Sequence, residues 1–134
     1  MEKLTVSLVT PQKQVVRVDA DMVTAPSVMG EVGILPNHRA LLAGLQEGPV
    51  LIKNGDKAEL YAVSGGFIEV DRNHVTLLAE TAEHKDQIDL DRSKAALKDA
   101  EQKLAKLDFG TPEYEEQWGR AKRAKVRLMV ASAK

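Results

Sequence analysis

The chain has 134 residues, a formal net charge of −1 and 43% hydrophobic residues, of which few are aromatic, so aliphatic side chains must fill its core. It contains no cysteine, which excludes disulfides, thiolate metal sites and thiol nucleophiles and fits a reducing compartment. No apolar run is long enough to cross a bilayer, and the alternating segment 1–10 lacks the layout of a secretory signal. We therefore expect no direct insertion into a membrane.

The charge is unevenly distributed along the chain. Residues 1–84 carry seven basic and eleven acidic residues, whereas residues 85–134 carry twelve basic and nine acidic ones. Six basic residues and no acidic one follow Glu116. A tail polarised in this way indicates contact with an anion or with an acidic surface.

The first part of the chain shows the residue alternation of β-strands. Leu4, Val6 and Leu8 alternate with polar residues, which is the period of a strand buried on one face. Val16 and Val18 continue the alternation. Prolines and glycines between such segments predict frequent turns, and many short strands with frequent turns favour an all-β sandwich or a flattened barrel.

Two β-hairpins are predicted within this part. Asn54-Gly55 lies between two strand-like segments and tolerates the positive φ angles of a tight turn. A second turn is predicted at residues 71–73. The glycines of segment 64–66 lack the spacing of a nucleophile elbow and instead predict close backbone packing at the start of a strand.

The residue period changes from that of strands to that of helices near residue 85. Either Asp86 or Asp89 can cap the start of the first helix. Residues 108–112 end it, because they contain a glycine and a proline. Its apolar residues fall on one helical face, at Leu90, Leu97, Ala100, Leu104 and Leu107.

A second helix is predicted after this break, with Thr111 as its cap and Pro112 at its first position. Two helices with a short connection form an antiparallel hairpin. Both helices are rich in alanine, which forms helices well but buries little surface, so we expect the hairpin to be held weakly and to be movable. The predicted buried face of the second helix carries Tyr114, Trp118, Ala121 and Leu128.

The sequence offers little for catalysis or for nucleic-acid binding. His38, His74 and His84 are far apart and lack paired ligand spacing, so we expect surface or turn positions and no metal site. There is no Walker-type phosphate loop and no dinucleotide fingerprint. The basic run 120–127 is not interleaved with aromatic residues, which does not favour nucleic acid and leaves a solvated helix face as the simpler interpretation.

Several segments resemble the epsilon subunit of rotary ATP synthases. Residues 30–38, GEVGILPNH, are similar to the G-x-x-G-x-L-P-x-H loop of that family. Residues 64–70, SGGFIEV, are similar to its S-G-G-F-x-E-V segment. Segments 6–11 and 75–80 also fit, so the resemblance covers nearly the whole chain.

The resemblance implies a non-catalytic rotor subunit of a proton- or sodium-translocating ATP synthase. Residues 1–84 are then expected to form a β-sandwich of about ten strands that binds the gamma subunit and rests on the membrane c-ring. Residues 85–134 are expected to form a two-helix C-terminal regulatory domain that either lies folded or extends toward the alpha and beta catalytic subunits and inhibits ATP hydrolysis. The expected location is the cytoplasmic face of the bacterial cell membrane, as a peripheral part of the complex.

Some bacterial members of this family bind ATP on the folded hairpin through an I/L-D-x-x-R-A motif. Residues 88–93 match this motif except that Ser93 replaces the alanine. The resemblance thus implies ATP as a regulatory ligand, with or without Mg²⁺, and no required cofactor. The residues it assigns to ATP are Ile88, Asp89, Arg92, Ser93, Arg123 and Arg127.

The chemistry of these residues agrees with the assignment. Asp89 and Arg92 are three residues apart and Arg123 and Arg127 are four apart, so each pair is adjacent on a helix face. An antiparallel hairpin can bring both pairs together, and guanidinium groups suit phosphate oxygens. We expect the three arginines to hold the phosphates, with Asp89 accepting from the adenine amino group and the Ile88 backbone nearby.

Other roles for the same residues stay open. Asp89 suits the helix dipole without any ligand, or could pair with Arg92 in a surface salt bridge. Arg123 and Arg127 could serve only to contact acidic surfaces of the catalytic subunits. If the hairpin is idle, the chain serves assembly and coupling alone.

Overall fold

The computed structural model describes residues 2–133, in which the chain divides into two compact units, the first ending at His84 and the second beginning at Lys85. Met1 and Lys134, the outer bounds of the two predicted domains, lie outside the described residues. The first unit contains ten strands: β1 Leu4–Val9, β2 Gln14–Ala20, β3 Met22–Ser27, β4 Gly30–Ile34, β5 Leu41–Gly44, β6 Gly48–Asn54, β7 Lys57–Ser64, β8 Phe67–Asp71, β9 His74–Leu78 and β10 Thr81–His84.

These strands form two five-stranded sheets, which confirms the predicted sandwich. The strand order is β2-β1-β9-β8-β5 in one sheet and β10-β7-β6-β3-β4 in the other. Strands β1 and β9 pair in parallel, whereas neighbours such as β1 and β2 or β6 and β7 pair antiparallel. Both sheets contribute to a single, almost entirely aliphatic core.

The predicted alternation of β1 is confirmed, because Leu4, Val6 and Leu8 are all fully buried. The alternation continues into β2 as predicted, because Val16 and Val18 pair with the buried Leu8 and Val6, although Val18 is 39% exposed. Strand β2 is an edge strand, and its pairing with β1 shifts register at Leu8 and Val9. The shift lies beyond the pair of Val6 and Val18, so the edge position of β2 accounts for the exposure of Val18.

The two predicted hairpins form, with one change of register. Asn54 is the last residue of β6, so the first loop is Gly55-Asp56, one residue later than expected, with Gly55 at φ +61°. The second loop is Arg72-Asn73, whose φ angles of 49° and 64° are the two positive values of a type I′ turn. Asparagine tolerates this region better than most side chains.

Prolines and glycines lie within strands as well as between them, contrary to the simple expectation of turns. Pro26 lies in β3, at a position beyond the residues that pair with β6. A proline is tolerated there because it removes no hydrogen bond to β6. Gly48 in β6 lies against Pro26, and a Cβ at Gly48 would be 2.6 Å from the proline Cβ. Only glycine fits that contact.

The second unit is the predicted helical hairpin. It consists of a 3₁₀ turn at Lys85–Gln87, helix α1 at Leu90–Leu104 and helix α2 at Pro112–Ser132. Of the two candidate caps of α1, Asp89 is the one used. Thr111 caps α2 through a hydrogen bond from the Tyr114 backbone N–H, as expected. Among residues 2–133, neither helix is both long and apolar enough to span a membrane.

The predicted helix faces are only partly correct. Leu90 and Trp118 are 37% and 46% exposed, and Leu107 lies beyond the end of α1. The side chains that are buried are mostly small, so bulky residues such as Trp118 remain at the margin. Buried residues of the two helices are Ser93, Ala100, Ala121, Ala124 and Val130.

Candidate nucleotide site on the helical hairpin

The first turn of α1 brings three of the predicted ATP residues together. Asp89 has extended backbone angles, and its Oδ1 accepts a hydrogen bond of 3.0 Å from the Arg92 backbone N–H. The carboxylate thus caps the helix, where it also interacts favourably with the helix dipole. The alternative, a salt bridge between Asp89 and the Arg92 guanidinium, is wrong. In the described structure, residues 2–133, the Asp89 carboxylate contacts the backbone N–H of Arg92 and not its guanidinium.

Ser93, which departs from the motif, is accommodated without an unpaired polar group. Its side chain is buried, and its Oγ donates to the Asp89 carbonyl over 2.9 Å. A serine that bonds back to the preceding turn satisfies its hydroxyl locally. Ile88, just before the cap, is half-buried, and its N–H donates to the Lys85 carbonyl. The substitution of the motif's alanine therefore leaves the local helix start intact.

An ion pair that the sequence analysis missed joins the two helices. Arg120 of α2 donates to Asp99 of α1, and Lys103 lies 3.1 Å from the same carboxylate oxygen. Hydrogen bonds from Arg120 and then from Lys103 lower the pKa of the Asp99 carboxyl below its usual value. The spacing of Asp99 and Lys103 is visible in the sequence, but the Arg120 contact depends on the register of the hairpin.

That register determines which predicted residues share a level. Lys85 donates to the Ala133 carbonyl at one end of the hairpin, and Asp99 pairs with Arg120 nearer the other end. In sequence, Arg92 is midway between Lys85 and Asp99. Arg127 is close to midway between Arg120 and Ala133. The two arginines therefore lie at about the same level, with Arg123 roughly one turn nearer the connection between the helices.

The arginines differ in how their charges are compensated. Arg120 is paired with Asp99, and Arg127 also has an interaction partner. In contrast, the guanidinium groups of Arg92 and Arg123 make no hydrogen bond or ion pair with any of residues 2–133. Arg92 is exposed and Arg123 is half-buried. Two uncompensated guanidinium groups on adjacent helices suit an anionic ligand.

The hairpin also carries a shallow groove. It is lined by Leu97, Ala105 and Leu128, with Lys94, Lys98, Glu101 and Gln102 around it. None of the six predicted ATP residues lines this groove. Charge and hydrogen bonding, and not this groove, therefore support the predicted ATP site.

The sandwich carries a second feature that sequence reasoning missed, an apolar patch formed by Val28, Leu42, Phe67 and Leu78, which are 49–70% exposed. Phe67 of β8 pairs with Leu78 of β9 and with Gly44 of β5, so these positions share the outer face of one sheet. Leu42 lies two residues from Gly44 on that face, and Val28 packs over Gly44. A contiguous exposed patch of this kind marks an interaction surface.

A β-sandwich followed by a helical hairpin is the architecture of one class of ATP synthase subunits. The family model described as "ATP synthase, Delta/Epsilon chain, beta-sandwich domain" matches residues 3–85. The chain is 42% identical over 130 residues to the ATP synthase epsilon chain of Geobacter metallireducens, covering 97% of this chain and 94% of that one. It is 50% identical over 105 residues to the ATP synthase epsilon chain of Brevibacillus brevis, covering 78% and 80%. The chain belongs to the ATP synthase epsilon chain family.

Solved structures share the same fold at lower sequence identity. A chain from the mitochondrial ATP synthase of Euglena gracilis, in an OSCP/F1/c-ring assembly, matches with a TM-score of 0.85 and 21% identity over 98% of this chain and 82% of that one. A chain from the central stalk and c-ring of the Tetrahymena thermophila mitochondrial enzyme matches with a TM-score of 0.66 and 16% identity over 98% of each chain. Both comparisons extend over sandwich and hairpin together.

Proposed function

We propose that this epsilon chain is a non-catalytic rotor subunit in the central stalk of a proton- or sodium-translocating ATP synthase, and that its helical hairpin binds ATP and restrains ATP hydrolysis. Membership of the epsilon chain family supports the first part. The similar chains in central-stalk and c-ring assemblies support the same placement. The subunit acts as a peripheral component at the cytoplasmic face of the membrane.

The sandwich docks on partner subunits of the stalk. The apolar patch of Val28, Leu42, Phe67 and Leu78 is suited to bury these exposed side chains against the gamma subunit. Other sandwich loops rest on the c-ring. The alpha and beta catalytic subunits contact the hairpin when it extends.

The observation that carries ATP binding is the pair of uncompensated guanidinium groups, Arg92 on α1 and Arg123 on α2. Arg127 lies at about the level of Arg92, so the hairpin carries all three arginines within about one helical turn of one another along its length. Guanidinium groups bind phosphate oxygens through charge-assisted, often bidentate hydrogen bonds. The cap occupies one oxygen of Asp89, which leaves its other oxygen to accept from the adenine amino group.

Bound ATP then stabilises the folded state of the hairpin over the extended state. A ligand that binds only the folded state stabilises it by RT ln(1 + [ATP]/Kd), about 1.4 kcal/mol at ten times Kd. Such a shift matters because the helices bury mainly small side chains, so that two states can lie close in energy. A fall in ATP releases the hairpin to inhibit hydrolysis.

Isothermal titration of the full chain with ATP, with and without Mg²⁺, tests the proposal. We expect saturable heat from the native chain. Arg92→Ala and Arg123→Ala should each bind ATP at least about tenfold more weakly, because each variant loses charge-assisted hydrogen bonds to the phosphates. Arg17→Ala, which removes an exposed arginine from β2, serves as the matched control and should bind as the native chain does.

The absence of heat at millimolar ATP would contradict the nucleotide site and favour an idle hairpin that serves assembly and coupling only. Equal binding by the native chain and both hairpin variants would show that ATP binds elsewhere. Loss of binding in Arg17→Ala as well would indicate a nonspecific charge effect.

A further inference from the structure

Gly119 lies inside helix α2, well away from both of its ends. Glycine is the least favourable residue of helix interiors apart from proline, because it loses the most backbone entropy on folding. The φ angle of Gly119 is not in the positive region that only glycine adopts readily. The backbone conformation of the helix therefore does not explain this glycine.

Close approach of a second helix, another common reason for a helical glycine, does not explain it either. A Cβ placed on Gly119 would meet one heavy atom of its surroundings within 4 Å, which is Nη1 of Arg123 at 3.2 Å. No atom of α1 lies within that distance in the described structure. The space that Gly119 leaves open is thus occupied by the guanidinium group of Arg123.

Arg123 is placed to use this space. It lies four residues after Gly119, so the two residues are adjacent on one face of α2. The side chain is half-buried, and its guanidinium makes no hydrogen bond or ion pair within residues 2–133. A Cβ at 3.2 Å would be tighter than nine in ten real Cβ contacts, so the guanidinium would have to shift by a few tenths of an ångström.

We infer that Gly119 is a positioning residue of the nucleotide site, which keeps the Arg123 guanidinium against α2 in the geometry that receives a phosphate group. This inference rests on the proposed function. Bidentate contact between guanidinium and phosphate depends on the orientation of a planar group, so a small displacement weakens it. Glycine costs the helix backbone entropy, and the room that it leaves lets the Arg123 guanidinium lie against α2.

The test compares Gly119→Ala with the native chain in two measurements, ATP affinity by calorimetry and thermal unfolding of the helices by circular dichroism. Alanine should raise helix stability and at the same time weaken ATP binding about fivefold. The opposite signs are the diagnostic result. If Gly119 affected only hairpin stability, a more stable hairpin would bind ATP equally well or more tightly.

A double-mutant cycle assigns the effect to Arg123. In an Arg123→Ala background, Gly119→Ala should leave ATP affinity unchanged and still raise helix stability, because the displaced side chain is absent. Equal or tighter binding by Gly119→Ala, or the same weakening in both backgrounds, would overturn the role of Gly119 while leaving the proposed function in place. Absence of ATP binding by the native chain would overturn both.

Discussion

A missing side chain at Gly66 decides whether β8 and β9 can pair. Gly66 has φ +102°, and a Cβ there would lie 1.7 Å from the carbonyl oxygen of Leu78 in β9. Gly66→Ala should therefore lower the free energy of unfolding by at least about 3 kcal/mol, since backbone strain and a backbone clash add. Urea unfolding of the full chain measures this change.

Gly33→Ala is the matched control for Gly66→Ala. Gly33 lies in β4, and a Cβ there would have no heavy atom within 4 Å. Its free energy of unfolding should stay within about 0.5 kcal/mol of the native value. Similar unfolding midpoints for the two variants would show that the β8–β9 strand pair tolerates a side chain at residue 66.

On the scale of whole elements, Asp99 links α1 to α2 through Arg120. The pKa of the Asp99 carboxyl is lowered, mainly by the hydrogen bond from Arg120 and to a smaller extent by that from Lys103. Because the folded-state pKa lies below the unfolded-state pKa, the pair stabilises the hairpin above the unfolded value of about 4. This stability is lost as the pH falls through the folded-state pKa. Asp99→Asn should remove that part of the pH dependence.

Hydrogen exchange of the α1 and α2 amides, measured in the full chain from neutral to acidic pH, tests this expectation. At neutral pH the native helices should be better protected than those of Asp99→Asn, and the two should converge under acid. Asp108→Asn, which changes an exposed carboxylate between the helices, should follow the native curve. Parallel curves for the native chain and Asp99→Asn would show that the pair does not hold the hairpin.

Local features of the elements could be predicted from the sequence, whereas contacts between elements could not. The alternation of β1 and the Thr111 cap each depend on neighbours in sequence. The glycines of segment 64–66 predict close backbone packing, but its partner, the Leu78 carbonyl of β9, is not visible in the sequence. The exposure of Trp118 depends on the packing of both helices, which sequence period does not determine. For the site, the cap at Asp89 was predictable from local chemistry, but the Asp99–Arg120 pair needed the hairpin register.

At the scale of the whole molecule, the two units bury very different side chains. The aliphatic core consists of residues between Leu4 and Ala79, all within the first unit. The helices bury mainly small side chains, of which Val130 is the largest. Burial of each large aliphatic side chain stabilises a fold by roughly 1.5–3 kcal/mol, so the sandwich has the material to fold without the hairpin. This difference supports the proposal that regulation displaces the hairpin and leaves the sandwich intact.

Deletion of the residues after Gln87 tests both halves of this expectation. The truncated chain should unfold cooperatively in urea as a β protein, because its core is complete. ATP synthase assembled with the truncated chain should hydrolyse ATP faster than the enzyme with the full chain, because the inhibitory hairpin is absent. The full chain with Arg17→Ala, assembled in parallel, controls for handling of the subunit. A folded, assembled truncation with an unchanged rate of hydrolysis would mean that the hairpin does not inhibit, whereas an unfolded truncation would mean that the sandwich core is insufficient alone.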